Sequence, residues 1–170
     1  NHLGIALVKQ GQLNEALEEF KKAIQCNPDY AESYKNLGLA LIRQGKFSEA
    51  IAWYMKTLEY IPEDADLHND LGALLILQGK PNEAISHFRK ALRFQPNMAK
   101  AHNNLGLAFA QQGRIDQAIE HFLEVLKINP NHTEARSNLE LIRKGGQFPQ
   151  GVGFNLSWHQ QDKDVFDSHS

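Results

Sequence analysis

The sequence predicts an all-α chain in which antiparallel helix pairs stack as an α-solenoid, and three observations lead there. Pro28, Pro62, Pro96 and Pro130 sit 34 residues apart. Between them a helix-turn-helix pattern returns with the same small residues at the same offsets. Within each unit the apolar residues recur at helical steps, which places them on one face of each helix. A fixed period of this length means that a hairpin too small to bury its own apolar face is stacked on copies of itself until a continuous core forms.

The register can be followed element by element. Leu3-Gly4, Leu37-Gly38, Leu71-Gly72 and Leu105-Gly106 align, with Leu139-Glu140 as a degenerate fifth. Gly11, Gly45, Gly79 and Gly113 come next, then Ala16, Ala50, Ala84 and Ala118, then Phe20, Tyr54, Phe88 and Phe122, then Ala23, Thr57, Ala91 and Val125. The first glycine and the alanines let the two helices of a hairpin approach closely with the aromatic inserted beside them. The second glycine lies just past a helix end, where a left-handed residue is needed. Asn14, Ser48, Asn82 and Asp116 stand where an N-cap acceptor belongs, and the prolines close each unit. The pattern predicts helices at 2–10, 14–27, 31–44, 48–61, 65–78, 82–95, 99–112, 116–129 and 133–144.

Eight offsets recurring together resemble the tetratricopeptide repeat over residues 1–144. The resemblance implies a right-handed superhelix, with a truncated first unit at 1–30, full units at 31–64, 65–98 and 99–132, and a capping helix at 133–144. Glu140, Arg136, Arg143 and Lys144 suit a cap with one exposed face. Asn1 falls inside the first helix of the register and there is no initiator Met, so the chain reads as cut from something longer.

Composition narrows the partners. Twenty acidic against eighteen basic residues, a formal charge of −2, give no electrostatic reason to expect a nucleic acid or an anionic membrane. No apolar run approaches the roughly 18 residues that a membrane helix needs. Cys26 can form no internal disulfide and reads as a helical packing residue. The compartment is therefore not legible; the cytoplasm is the default and the periplasm stays open.

The resemblance also implies where binding happens, because the first helix of each repeat lines the concave face. The residue before each Leu-Gly pair points there: His2, Asn36, Asp70, Asn104 and Asn138, with Asn69 and Asn103 one step earlier. A carboxamide offers a donor and an acceptor together, so it can grip a peptide backbone without reading side chains. This ladder is similar to the one in the tetratricopeptide portion of O-linked N-acetylglucosamine transferase, with Asp70 as a departure that accepts but does not donate. Ile5, Leu39, Ala73 and Leu107, then Val8, Ile42, Ile76 and Ala110, form a double apolar stripe beside it, and Lys9 and Arg43 border its N-terminal part. Either these side chains face water and anchor a ligand, or they bury between repeats.

The candidate peptide-binding set is thus Asn36, Asn69, Asn103, Asn104, Asn138, Asp70, Leu39, Ile42, Ile76, Leu107, Lys9 and Arg43. Chaperone-tail binding is set aside: the family's clamp for acidic C-termini is met only by Lys35 and Lys100, with Leu39, Asp70 and Asn104 elsewhere. His68 with His102, and His87 with His121, are repeat-equivalent, and stacked repeats hold such residues too far apart to close around one metal ion. No cofactor, metal site or nucleophile with an adjacent base is expected in this segment.

Residues 145–170 are glycine-rich, a flexible tail by composition, yet Val152, Phe154, Leu156 and Trp158 alternate as a strand with one apolar face does. Such a stretch could occupy an apolar groove. The function expected is a non-enzymatic scaffold for an extended or helical peptide, with no nucleic acid or membrane span. The competing classes are the repeat portion of a larger enzyme such as a glycosyltransferase, and self-association through the uncapped end at Leu3 and Leu7 or through the tail.

Overall fold

The computed structural model describes residues 2–28, 30–148 and 153. Among them are nine α-helices and no strand, the all-α architecture of a helical-repeat solenoid. They are α1 His2–Lys9, α2 Leu13–Cys26, α3 Ala31–Arg43, α4 Phe47–Tyr60, α5 Ala65–Leu77, α6 Pro81–Phe94, α7 Ala99–Gln111, α8 Ile115–Ile128 and α9 Thr133–Arg143. Two compact units divide the chain, Asn1–Asp64 and Ala65–Ser170.

Each hairpin is closed by the same turn. The first helix ends in a glycine with φ between 72° and 76°, at Gly11, Gly45, Gly79 and Gly113. The following backbone N–H then donates back to a carbonyl five residues earlier, as in Lys46 N to Leu41 O and Arg114 N to Phe109 O, both 2.9 Å. That bond satisfies a carbonyl the helix end would leave unpaired. Gly145 repeats the device after α9, with φ 66° and a 2.9 Å bond from Gly146 N to Leu141 O.

The other glycine row fixes the closeness of each pair. A Cβ at Gly38 would stand 2.2 Å from the Tyr54 ring, at Gly72 2.6 Å from the Phe88 ring and at Gly106 2.7 Å from the Phe122 ring. These rings are at most 3% exposed, and Ala16, Ala50, Ala84 and Ala118 are fully buried. Burying one such ring contributes about 2–3 kcal/mol.

Two expectations are corrected. The second helices start one residue earlier than expected, so Asn14, Ser48, Asn82 and Asp116 lie inside them, and the N-cap residues Gln12, Lys46, Lys80 and Arg114 make no side-chain cap hydrogen bond. Asn14 and Asn82 instead accept from Gln44 and Gln112 at 2.8 and 3.1 Å, each tying neighbouring hairpins of its own unit. Cys26, the last residue of α2, is an exposed free thiol rather than a packing residue.

Candidate functional site

The sequence-predicted residues fall into two groups. In the first unit, Asn36, Leu39 and Arg43 are half-buried along α3, Ile42 is 6% exposed, and Lys9 is exposed at the end of α1. In the second unit, Asn69, Asn103 and Asn104 are fully buried and Asp70, Ile76 and Leu107 are 5–7% exposed. Ala73 and Ala110 are buried as well. Of the two alternatives for the apolar stripe, burial therefore holds for Ile42 and for all its members on α5 and α7. Asn138 is half-buried on α9.

Burial makes the polar residues informative, since a carboxamide out of water needs partners. Asn104 Nδ2 on α7 donates to Asn69 Oδ1 on α5 at 2.8 Å, and Asn69 Nδ2 donates to Asp70 Oδ1 at 3.2 Å. These three residues form one buried polar relay linking the first helices of successive repeats. Asn103 does not join it: its Oδ1 and Nδ2 are both buried and neither is hydrogen-bonded within the protein. Leaving such a group unpaired costs about 1–3 kcal/mol. Asn103 lies one helical turn, about 6 Å, before Leu107 on the same side of α7.

The two lysines of the incomplete clamp are held in ion pairs within their own units. Lys35 Nζ lies 2.9 Å from Asp64 and Lys100 Nζ 2.5 Å from Asp66.

The histidines pair differently from the sequence alignment. His68 meets His87 and His102 meets His121, each through Nδ1 at 3.0 Å across one hairpin. The signal was a spacing of 19 residues, which also brings Tyr34 against Trp53 with ring centroids 5.8 Å apart. His102 Nε2 lies 2.9 Å from the Pro96 carbonyl, so it carries the proton there; His102 Nδ1 then accepts and His121 Nδ1–H donates. Burial, with the neighbouring His68 and His102, lowers the pKa of His87 and of His121 to about 4. His87 and His121 are therefore neutral at pH 7. No group of three or more metal-ligating side chains stands together among the described residues.

A wall of α6 carries another feature that composition did not single out as a site. Asn82, Ser86, Arg89, Lys90 and Arg93 line an open pocket of about 290 Å³ with Ile85. No helix among the described residues is long and apolar enough to cross a membrane.

Comparison with known proteins fits this architecture. The family model described as TPR repeat matches residues 4–45 and 72–113, and that described as Tetratricopeptide repeat matches 31–64 and 99–132. Among solved structures, MamA of MSR-1 is similar at 30% identity and a TM-score of 0.66, over 76% of this chain and 74% of that one. Another MamA structure aligns over 96% of both chains at 23% identity and a TM-score of 0.77. YrrB, described as a TPR protein with an unusual peptide-binding site, aligns at 23% identity and a TM-score of 0.71, over 89% of this chain and 78% of that one. No curated protein matches the sequence.

Proposed function

Because this chain belongs to the tetratricopeptide repeat family, we propose that it is a non-enzymatic interaction scaffold that takes an extended peptide on the face made by the first helices of its repeats. The observation that carries this reading is Asn103, fully buried with its donor and acceptor both unused. An extended peptide presents an N–H and a C=O along its edge and would satisfy both at once. Leu107, 5% exposed, follows it one turn along α7, and the Asn104–Asn69–Asp70 relay holds α5 and α7 in register. The similarity to YrrB supports a peptide ligand. In the first unit, Asn36, Leu39, Ile42, Lys9 and Arg43 complete the proposed set, with Asn138 on α9.

The test is a substitution in which stability and binding move in opposite directions. Asn103→Leu removes an unpaired buried amide, so thermal stability should rise by about 1 kcal/mol. Affinity for a decapeptide selected on the intact protein from a random library should fall about tenfold. Unchanged affinity, or a library that yields no binder, would overturn the reading.

A further inference from the structure

The second helices of the repeats share a set of six offsets that is mostly exposed, and α6 fills it unlike the others. Its Asn82, Ile85, Ser86, Arg89, Lys90 and Arg93 line the open pocket of about 290 Å³, with three cations and no acid among them. At the matching offsets α2 carries Glu18 with Lys21 and Lys22, and α4 carries Lys56 with Glu59. The charge of α8 is the reverse of that of α6: Asp116, Glu120 and Glu124 stand there against Lys127 alone.

Most of these charges have no ionic partner. Arg89, Lys90 and Arg93 are exposed and, among the described residues, enter no ion pair or hydrogen bond; the Arg89 guanidinium lies over the Phe109 ring, 5.7 Å from its centroid. Asp116 and Glu120 are exposed and equally unpaired among the described residues, while Glu124 is held by Lys127. The two helices belong to one unit, and both pack on α7. The charge of Arg89 reaches α8, where it adds to burial and to His102 in lowering the pKa of His121 to about 4. Cations and acids thus stand on neighbouring helices and do not meet within the chain.

We propose that a second copy of this chain docks on this face, with α6 of each copy lying antiparallel against α8 of the other about a two-fold axis. Charge complementarity selects that occupant. A nucleic acid or an anionic membrane would meet the acids of α8 beside the cations of α6, whereas a second copy turned about the axis sets cation on acid along both helices. The six offsets read the same in either direction, so the antiparallel register places Arg93 opposite Asp116, Arg89 opposite Glu120 and Lys127 opposite the neutral Asn82. Leu123, 46% exposed, is covered in the same register by Ser86. The contact is isologous, so every pair occurs twice and the assembly closes as a dimer. Exposed ion pairs are individually weak and are screened by salt, so the dimer belongs to low ionic strength. The face of the first helices lies outside the contact, and the inference stands or falls apart from the peptide reading.

Sedimentation velocity of the full chain should show a reversible equilibrium between monomer and dimer whose dissociation constant rises at least about tenfold between about 50 mM and about 500 mM salt. Two charge reversals then locate the contact. Arg89→Glu with Arg93→Glu makes α6 as well as α8 acidic, and Asp116→Lys with Glu120→Lys makes α8 as well as α6 basic. Each variant alone should be monomeric at low salt. Mixed in equal amounts they should form a one-to-one dimer, because acid again faces base at both contacts. An intact chain that stays monomeric would overturn the proposal. A dimer that persists in either variant alone would overturn it too, because the contact would then use another face, and so would a mixture that stays monomeric. A monomeric intact chain that binds a poly-glutamate peptide through Arg89 and Arg93 would also overturn it and give the α6 wall to an acidic partner.

Discussion

The two units solve the same contact with different chemistry. At the fourth position of the first helix and the partner 19 residues on, the first unit places Tyr34 against Trp53, and Tyr60 joins with ring centroids 5.4 Å from Tyr34. The second unit places His68 against His87 and His102 against His121. In the first case the helices are joined by tilted aromatic contacts, with Lys56 Nζ 5.8 Å from the Tyr34 ring centroid and 5.5 Å from that of Trp53. In the second they are joined by one hydrogen bond between imidazoles, supported by flat contacts of His68 on Phe94 and of His121 on Phe109. The lesson is that the repeat fixes geometry and leaves the interaction open. One unit makes this contact with aromatic rings that do not titrate near neutral pH, while the other makes it with histidines.

The hardest blow to the comparison would be a substitution that hits both units where they agree. Gly38→Ala and Gly106→Ala each set a methyl against a buried ring, at 2.2 and 2.7 Å, so each should destabilise its own unit by about 1–3 kcal/mol, the first more than the second. Urea unfolding of both variants measures it; a loss under 0.5 kcal/mol in either would show that the ring can move aside.

Acid sharpens the comparison next. The folded pKa of His87 and of His121 is near 4, below the usual 6.5, so the folded state resists protons that the unfolded chain accepts. The stability they confer is fully present above about pH 6.5 and is lost as pH falls towards 4, with up to two protons taken up on unfolding. Hydrogen exchange between pH 7 and pH 5 should show α5 to α8 losing protection more than α3 and α4. His87→Gln with His121→Gln should flatten that difference; persistence of the pH effect in the double variant would trace it to other groups.

The smallest effect is expected where the units look most alike on the surface. Lys100→Ala breaks the partly exposed pair with Asp66 and should cost under about 1 kcal/mol at low salt, less at high salt. A larger, salt-independent loss would mean that the lysine stem, rather than its charge, supports α7.

Helix existence and pairing were legible from the chain itself, because the 34-residue period and the 3.6-residue period within it depend on which positions are apolar or small. Gly38, Gly72 and Gly106 could be assigned to close helix contact, and Gly45 and Gly79 to left-handed turns, from their offsets alone. The caps were misread because Asn14 and Asn82 are good N-cap residues in isolation. In the fold, Gln44 and Gln112 compete for their oxygens and the helices start one residue earlier. The alternating stretch at 152–158 lies outside the described residues apart from Gly153.

The sequence by itself determined that helical hairpins would repeat, where each would turn, and which residues share the face of each first helix. Local propensity and periodicity act along the chain and need no partner. Tertiary structure alone decided that Asn69 would bond Asn104 while Asn103 would bond nothing, and that histidines of one hairpin, rather than of successive repeats, would meet. Hydrogen bonds form between particular atoms about 3 Å apart, and a difference of one turn in where two helices touch settles which carboxamide is satisfied.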